Sequence, residues 1–142
     1  MCSNSNESGN FQHIDPYDFI MVPLLKRLQI GINNFSRSNI VEYIKIWHPS
    51  QLLKSDVTFA YQCTNDNLSP TVQDGDIMLI HPQNHAAIGN IVLFRSPIEI
   101  AFGKVTKTNS SIGIKNKVLD WRPGKNQDLG IIGKVVSVRR TF

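Results

Sequence analysis

One hydroxyl and a few nitrogen bases are the groups in this chain whose spacing could support catalysis. Ser69 lies in a polar stretch, and His81, His85 and Lys104 follow it. A serine hydroxyl becomes nucleophilic when a neighbouring neutral base accepts its proton. Ser69 with Lys104, or with one of the two histidines, is therefore a candidate catalytic pair. Ser69 also precedes Pro70, which is typical of a turn residue whose hydroxyl bonds the local backbone.

The histidines and cysteines give little support to a metal centre or a disulfide. His81 and His85 have the i, i+4 spacing of ligands on a helix, but Pro82 disfavours a helix at that place. Cys2 lies in a polar segment far from Cys63, and the chain has no CxxC spacing. We therefore expect no metal site, no disulfide and no cofactor.

The elements that must position the polar stretch are predicted to be β-strands. Phe59, Tyr61 and Cys63 share one parity, and Asp76 opens a second apolar run at residues 77–80. More short alternating or apolar segments lie at residues 40–47, 90–95, 98–105, 112–115 and 130–136. This pattern predicts a mostly β fold in a single globular domain.

The polar stretch resembles the nucleophile loop of the self-cleaving LexA, UmuD and phage lambda repressor family. In that family the loop reads Gly-Asp-Ser-Met-x-Pro-Thr, and Gly-Asp follows a few residues later. Residues 65–71 read Asn-Asp-Asn-Leu-Ser-Pro-Thr, and Gly75 and Asp76 follow at the matching distance. Residues 89–92 and 130–136 resemble two further segments of the family. The resemblance covers residues 22–136 and implies a compact LexA C-terminal-domain-like fold of curved antiparallel sheets.

Both catalytic positions of the family hold unreactive residues in this chain. Asn67 stands where the family has its serine, and an amide nitrogen conjugated to its carbonyl cannot attack a peptide bond. The catalytic lysine of the family falls on Gly103. Lys104 is the next residue, but consecutive strand residues point to opposite faces, so we expect Lys104 to turn away from the site. The resemblance thus implies an inactive relative, a pseudo-peptidase, rather than an enzyme.

The segment that the family cleaves has a counterpart near the N-terminus. Leu28 begins a stretch that ends in Ile30 and Gly31, where the family has the Ala-Gly or Cys-Gly bond that is cut. Isoleucine in a pocket built for a small residue costs about 1–3 kcal/mol in overpacking. We interpret Ile30 and Gly31 as a vestigial cleavage segment, and the alternative is that Leu28 and Ile30 are ordinary core residues.

The charge of the chain is positive and lies mainly in its C-terminal half. The net charge is +4, and residues 1–19 carry three acids and no base, which leaves +7 for the remainder. Such a surface favours polyanions or acidic partners. The candidate basic surface comprises Lys104, Lys107, Lys115, Lys117, Arg139 and Arg140. Because no reading helix or stacking platform accompanies these charges, we expect direct DNA binding to be weak or absent.

The chain divides into a polar arm and one domain. Residues 1–18 have little to bury and are predicted to be disordered, and residues 19–142 form the regulatory and dimerisation domain. Eighteen polar residues cannot build the helix-turn-helix domain that repressors of the family carry. No apolar run approaches the roughly 20 residues of a membrane span, and no signal peptide is recognisable, which predicts a cytoplasmic protein.

The resemblance implies a protein-interaction and dimerisation module in transcription regulation, the DNA-damage (SOS) response or a mobile genetic element. Its partner would be a repressor, a recombinase or a polymerase. We expect a homodimer through the C-terminal strands, because the apolar residues 131–136 would otherwise leave an open sheet edge. Two alternatives stay open: an active self-cleaving peptidase that uses Ser69, and a weak nucleic-acid-binding protein that uses the basic C-terminal half.

Overall fold

The structure, a computed structural model, describes residues 19–28, 35–47, 58–109, 111–124 and 128–140. The mostly β fold predicted from the sequence is confirmed. The strands are β1 (Phe19–Leu25), β2 (Ile40–Trp47), β3 (Phe59–Gln62), β4 (Ile77–Pro82), β5 (Ile91–Arg95), β6 (Ile100–Thr108), β7 (Ser111–Lys115), β8 (Asp120–Trp121) and β9 (Ile131–Arg139). The predicted arm at residues 1–18 and the predicted cleavage residues Ile30 and Gly31 lie outside the described residues. No helix in the described ranges has the length and apolar character that a membrane crossing requires.

The described strands form one mixed sheet in the order β2-β1-β3-β4-β9-β5-β6-β7-β8. Its neighbouring strands pair antiparallel, except that β1 and β3 run parallel, with Leu24 opposite Ala60. The antiparallel pairing that the resemblance implies is found at every other neighbouring pair of the described sheet. The chain forms a β1–β2 hairpin and then returns to the other side of β1, so β3 enters in the same direction as β1.

The last strand occupies the interior of the sheet. Strand β9 pairs with β4 on one side, where Val135 lies opposite Ile80, and with β5 on the other, where Lys134 lies opposite Val92. The expectation that this apolar strand would lie at an open edge is wrong, because it lies between two strands: residues 133–139 pair with β4 and residues 131–134 with β5. Among the described strands, β2 and β8 lie at the two ends of the sheet.

Alternation along β5 and β6 divides the core between two faces. On one face, Leu93 belongs to a buried cluster that includes Cys63, Val72 and Met78, and Phe102 packs against it. On the opposite face, a second cluster of buried side chains comprises Val92, Phe94, Val105, Ile114 and Ile131. The polar loop between β3 and β4 packs on the first of these faces, since it contributes Val72 to the first cluster and Leu68 packs against that cluster. Which face a β6 residue occupies thus decides whether its side chain can approach the loop.

Candidate functional site

The loop of residues 63–76, hereafter the β3–β4 loop, is closed by backbone hydrogen bonds at its base. The Cys63 N–H donates to the Asp76 carbonyl at 2.7 Å, and the Gly75 N–H donates to the Cys63 carbonyl at 2.8 Å. Gly75 has a φ of 92°, a conformation that glycine adopts without the strain of a side chain. Val72 is fully buried under the loop. The loop is therefore a packed structure rather than a loose connection.

The acidic residue of the Gly-Asp motif is a structural anchor of the loop. Asp76 is 2% exposed, and its carboxylate accepts two hydrogen bonds from the Arg140 guanidinium, at 2.9 and 2.7 Å. The Gln73 N–H donates a third bond, at 2.8 Å. The Arg140 hydrogen bonds, with help from Gln73, lower the pKa of Asp76 to about 2. Arg140, which the sequence assigned to a basic surface, is instead paired with this buried acid.

Asn67, which the resemblance aligns with the family's serine, lies within the β3–β4 loop. Its backbone N–H donates to Asn65 Oδ1 at 3.0 Å, and its carbonyl accepts the Lys117 N–H at 3.0 Å. Asn116 braces the facing turn: its Nδ2 donates to the Phe102 carbonyl at 2.8 Å, and its Oδ1 accepts the N–H groups that follow it. Sequence reasoning missed Asn116, whose signal was an asparagine in a turn after an apolar strand.

A cavity of about 240 Å³, hereafter the inner cavity, lies between the β3–β4 loop and β6. Asn67, Cys63 and Phe102 line it, together with Leu28, the last described residue before the predicted cleavage segment. Burial raises the pKa of the Cys63 thiol, which donates to the Asn65 carbonyl at 3.1 Å. The inner cavity is thus lined by the Asn67 amide, a protonated thiol, apolar groups and further polar side chains that include Glu99 and Asn116.

Gly103 is buried on the face of β6 that points away from the β3–β4 loop. A Cβ at this position would lie 2.6 Å from Ile114 Cγ2 and 3.1 Å from the Lys115 carbonyl oxygen. Gly103 lines neither the inner cavity nor the cavity described next. A lysine at residue 103 would therefore have to displace Ile114 and would start on the wrong face to reach Asn67.

Lys104 is the β6 residue that points towards the loop. It lies opposite Ile91 in the β5–β6 register, and the two residues line a second cavity of about 310 Å³, hereafter the outer cavity, together with Asn67 and Ser69. The sequence correctly placed Lys104 and Gly103 on opposite faces. The expectation that Lys104 turns away from the loop is wrong, because alternation fixes relative faces but does not say which face the loop covers.

The six residues of the predicted basic surface are divided among separate parts of the fold. Lys115 and Lys117 line the outer cavity with Lys104. Lys107 lies three residues after Lys104 on β6 and therefore points to the opposite face of the strand. Arg139 lies opposite Ile77 at the end of β9. The predicted basic surface is therefore not one continuous patch.

Both histidine side chains contact neighbouring amide groups. The His81 Nδ1 lies 3.1 Å from Gln83 Oε1, and the His85 Nδ1 lies 3.2 Å from Asn84 Oδ1. Neither histidine lines the outer cavity beside Ser69, so of the three candidate bases only Lys104 shares a cavity with that hydroxyl. Within the described part of the chain, no group of three His, Cys, Asp or Glu side chains could hold a metal ion.

The mostly β sheet and its β3–β4 loop are consistent with the LexA C-terminal-domain-like fold expected from the sequence. Residues 23–136 match the family model described as Peptidase S24-like, and the chain belongs to this family. Among its relatives are LexA repressors of Leptospira interrogans, Clostridium perfringens and Desulfitobacterium hafniense, which are 23%, 24% and 25% identical to it over 129, 127 and 122 residues.

The matches cover more of this chain than of the relatives. They include 89%, 88% and 85% of the chain but 63%, 62% and 59% of the respective LexA repressors. The chain thus spans about three fifths of the length of the curated relatives it matches. The comparisons establish the family of this chain, and they do not extend to the activity or the partners of the longer relatives.

Proposed function

We propose that this chain is a non-catalytic Peptidase S24-like domain that acts as a cytoplasmic dimerisation and protein-interaction module. Its setting would be transcription regulation, the DNA-damage response or a mobile genetic element, with a repressor, recombinase or polymerase as partner. The observation that carries the proposal is Asn67, which the resemblance aligns with the family's serine, on a loop that several backbone hydrogen bonds hold in place.

The chemistry of the site supports a role without cleavage. The Asn67 amide has no proton whose removal would yield a useful nucleophile near neutral pH, and the raised pKa of Cys63 keeps that thiol protonated. Gly103 carries no base, and Ile114 fills the space beside it. Lys104, which does face the loop, shares the outer cavity with the Asn67 amide rather than with a serine at that position. A domain with this site can still present surfaces to other proteins.

Incubation of the purified protein at pH 10, and separately with an activated recombinase filament, tests the absence of cleavage. Intact mass spectrometry is expected to show a single species of unchanged mass over hours under both conditions. A pair of fragments split at Ile30-Gly31 would contradict the proposal. A LexA repressor processed in parallel serves as the positive control for the filament and the buffer.

In this proposal a second copy pairs through β2. It is an eight-residue strand at one end of the described sheet, and it exposes large side chains: Val41 is 55% exposed and Tyr43 57%. A long edge strand with exposed apolar residues favours pairing with another strand. This location differs from the C-terminal strands expected from the sequence, because β9 lies between β4 and β5 in the sheet.

Two matched substitutions distinguish these dimer surfaces. Val41→Lys places a charge on the edge strand, and Ile132→Lys places the same charge on β9, where the native side chain is 41% exposed. Light scattering at tens of micromolar is expected to give a dimer for the wild type and for Ile132→Lys, and a monomer for Val41→Lys. A monomeric wild type would contradict dimerisation, and the reverse pattern would place the interface on β9.

A second candidate function is self-cleavage by Ser69 with Lys104 as its base. The observation that favours it is that both residues line the outer cavity. If fragments form at alkaline pH, Ser69→Ala and Lys104→Met are expected to abolish them, while Lys117→Met, a matched change at the same cavity, leaves the rate within a few-fold of wild type. Cleavage that survives Ser69→Ala would exclude this candidate.

A further inference from the structure

The outer cavity collects positive charge beside the β3–β4 loop. Lys104 on β6, Lys115 on β7 and Lys117 in the turn that follows β7 all line it, and no acidic residue does. Among the residues that the structure describes, none of these three lysines takes part in an ion pair. The cavity is therefore a region of positive potential without an internal counter-charge.

Two of these lysines face each other directly. Lys104 and Lys115 are cross-strand partners in the antiparallel β6–β7 pair, so their side chains leave the same face of the sheet with Cβ atoms about 5 Å apart. Like charges in this arrangement destabilise a sheet. On the other side of Lys115 its partner is Asp120, but that carboxylate is paired with Arg122 Nε at 3.0 Å. A bound anion would remove the repulsion between the two lysines.

A buried hydroxyl at the same cavity has no hydrogen-bond partner among the described residues. Thr106 Oγ1 is buried and makes no hydrogen bond within the described residues, and Thr106 lines the outer cavity. It lies two residues after Lys104 on β6 and so points to the same side of the sheet. A buried hydroxyl without a hydrogen bond costs free energy, and a ligand with acceptor oxygens would satisfy it.

We propose that the outer cavity is a binding site for a phosphate group, held by Lys104, Lys115 and Lys117 and by the Thr106 hydroxyl. A phosphate monoester carries a charge of about −1.5 to −2 at neutral pH and three strong acceptor oxygens, which match several ammonium donors better than one carboxylate does. The apolar wall formed by Leu68, Pro70 and Ile91 leaves room for an attached organic group. This inference is independent of dimerisation and of the missing catalytic groups.

Binding is tested on the full chain with inorganic phosphate, AMP and acetate, each at constant ionic strength set with sodium chloride. Isothermal titration calorimetry and the shift in Tm are the two readouts. We expect phosphate to bind and to raise Tm, and acetate to do neither. Tighter binding of AMP than of phosphate would identify the ligand as the phosphate of a larger molecule, and equal or weaker binding would identify free phosphate.

Three variants test whether phosphate binds at the outer cavity rather than elsewhere on the protein. Lys104→Ala is expected to weaken phosphate binding about tenfold or more, since each charge-assisted hydrogen bond contributes that much. Thr106→Val should weaken it about threefold to tenfold. Lys107→Ala removes an exposed charge from the other face of β6 and should leave binding unchanged. Circular dichroism checks that each variant is folded. Absence of binding to the wild type, equal binding of acetate, or an equal loss in Lys107→Ala would overturn the proposal.

Discussion

Arg140 donates two parallel hydrogen bonds to the buried carboxylate of Asp76, from Nε to Oδ1 at 2.9 Å and from Nη2 to Oδ2 at 2.7 Å. The two residues are 64 positions apart, so this contact ties the end of β9 to the base of the β3–β4 loop. Planar two-point pairing of this kind fixes geometry as well as charge. The acidic residue of the family's Gly-Asp motif thus has a structural role in this chain.

Replacing Asp76 should change how stability depends on pH. The folded pKa of Asp76 is about 2, below its value of about 3.9 in an unfolded chain. The carboxylate therefore contributes stability that is fully present above about pH 4 and is lost as the pH falls through about 2. Urea denaturation from pH 7 to pH 2 is expected to show a less stable Asp76→Asn variant whose acid-induced decline is shallower than that of wild type.

Asp74→Asn is the matched control for this experiment. Asp74 is exposed in the same loop; its backbone N–H donates to Asp66 Oδ1, but its carboxylate accepts no hydrogen bond from the described residues. The stability profile of Asp74→Asn should follow that of wild type. Identical profiles for Asp76→Asn and wild type would show that the Arg140 contact contributes nothing in solution.

The space beside Gly103 is too small for a methyl group. Because a Cβ there would lie 2.6 Å from Ile114 Cγ2, Gly103→Ala should destabilise the protein by about 1–3 kcal/mol. Ile114→Ala alone should cost about 2–5 kcal/mol through the cavity it leaves. The double variant should be more stable than the sum of the two costs predicts, because each change relieves the other. Strict additivity in chemical denaturation would contradict this contact.

Restoring the family's reacting groups at their aligned positions should not restore cleavage. Asn67→Ser supplies a hydroxyl, but Gly103→Lys starts on the far face of β6 and must displace Ile114, so it cannot come within about 3 Å of that oxygen. Adding Ile30→Ala should matter only if the double variant is active. Intact mass spectrometry of the double and triple variants at pH 7 and pH 10 checks this, and efficient cleavage by the double variant would refute it.

Local sequence patterns predicted the strands, but pairings between distant residues determine which side chains face the β3–β4 loop. The alternation in β3 and β6 and the apolar run of β4 gave the elements and the relative faces of Gly103 and Lys104. They gave no information on which face the β3–β4 loop would cover, so Lys104 was placed on the wrong side. The interior position of β9 and the Arg140–Asp76 contact depend on residues far apart in sequence, which no local period encodes.

Asn116 should prove important for stability despite its place in a surface turn. Its side chain makes three hydrogen bonds, to the Phe102 carbonyl and from the Val118 and Leu119 N–H groups. Asn116→Ala leaves these groups unpaired and is expected to destabilise the protein by about 1–3 kcal/mol. Asn116→Asp keeps the acceptor for the two N–H groups but loses the donor to Phe102. Hydrogen exchange should therefore show faster exchange at Val118 and Leu119 in Asn116→Ala than in Asn116→Asp.

Binding to DNA is expected to be weak, independent of sequence and lost near physiological salt. The logarithm of the binding constant falls with the logarithm of salt concentration by about 0.9 per phosphate neutralised, so six cations on one surface would give a slope of about −5. The cations are instead divided: three lysines surround the outer cavity, Lys107 has the opposite parity, and Arg140 is paired with Asp76. A slope of about −3 or shallower is therefore expected in fluorescence anisotropy with a labelled duplex. Submicromolar affinity for a defined duplex at physiological salt would contradict this reasoning and favour a nucleic-acid-binding function.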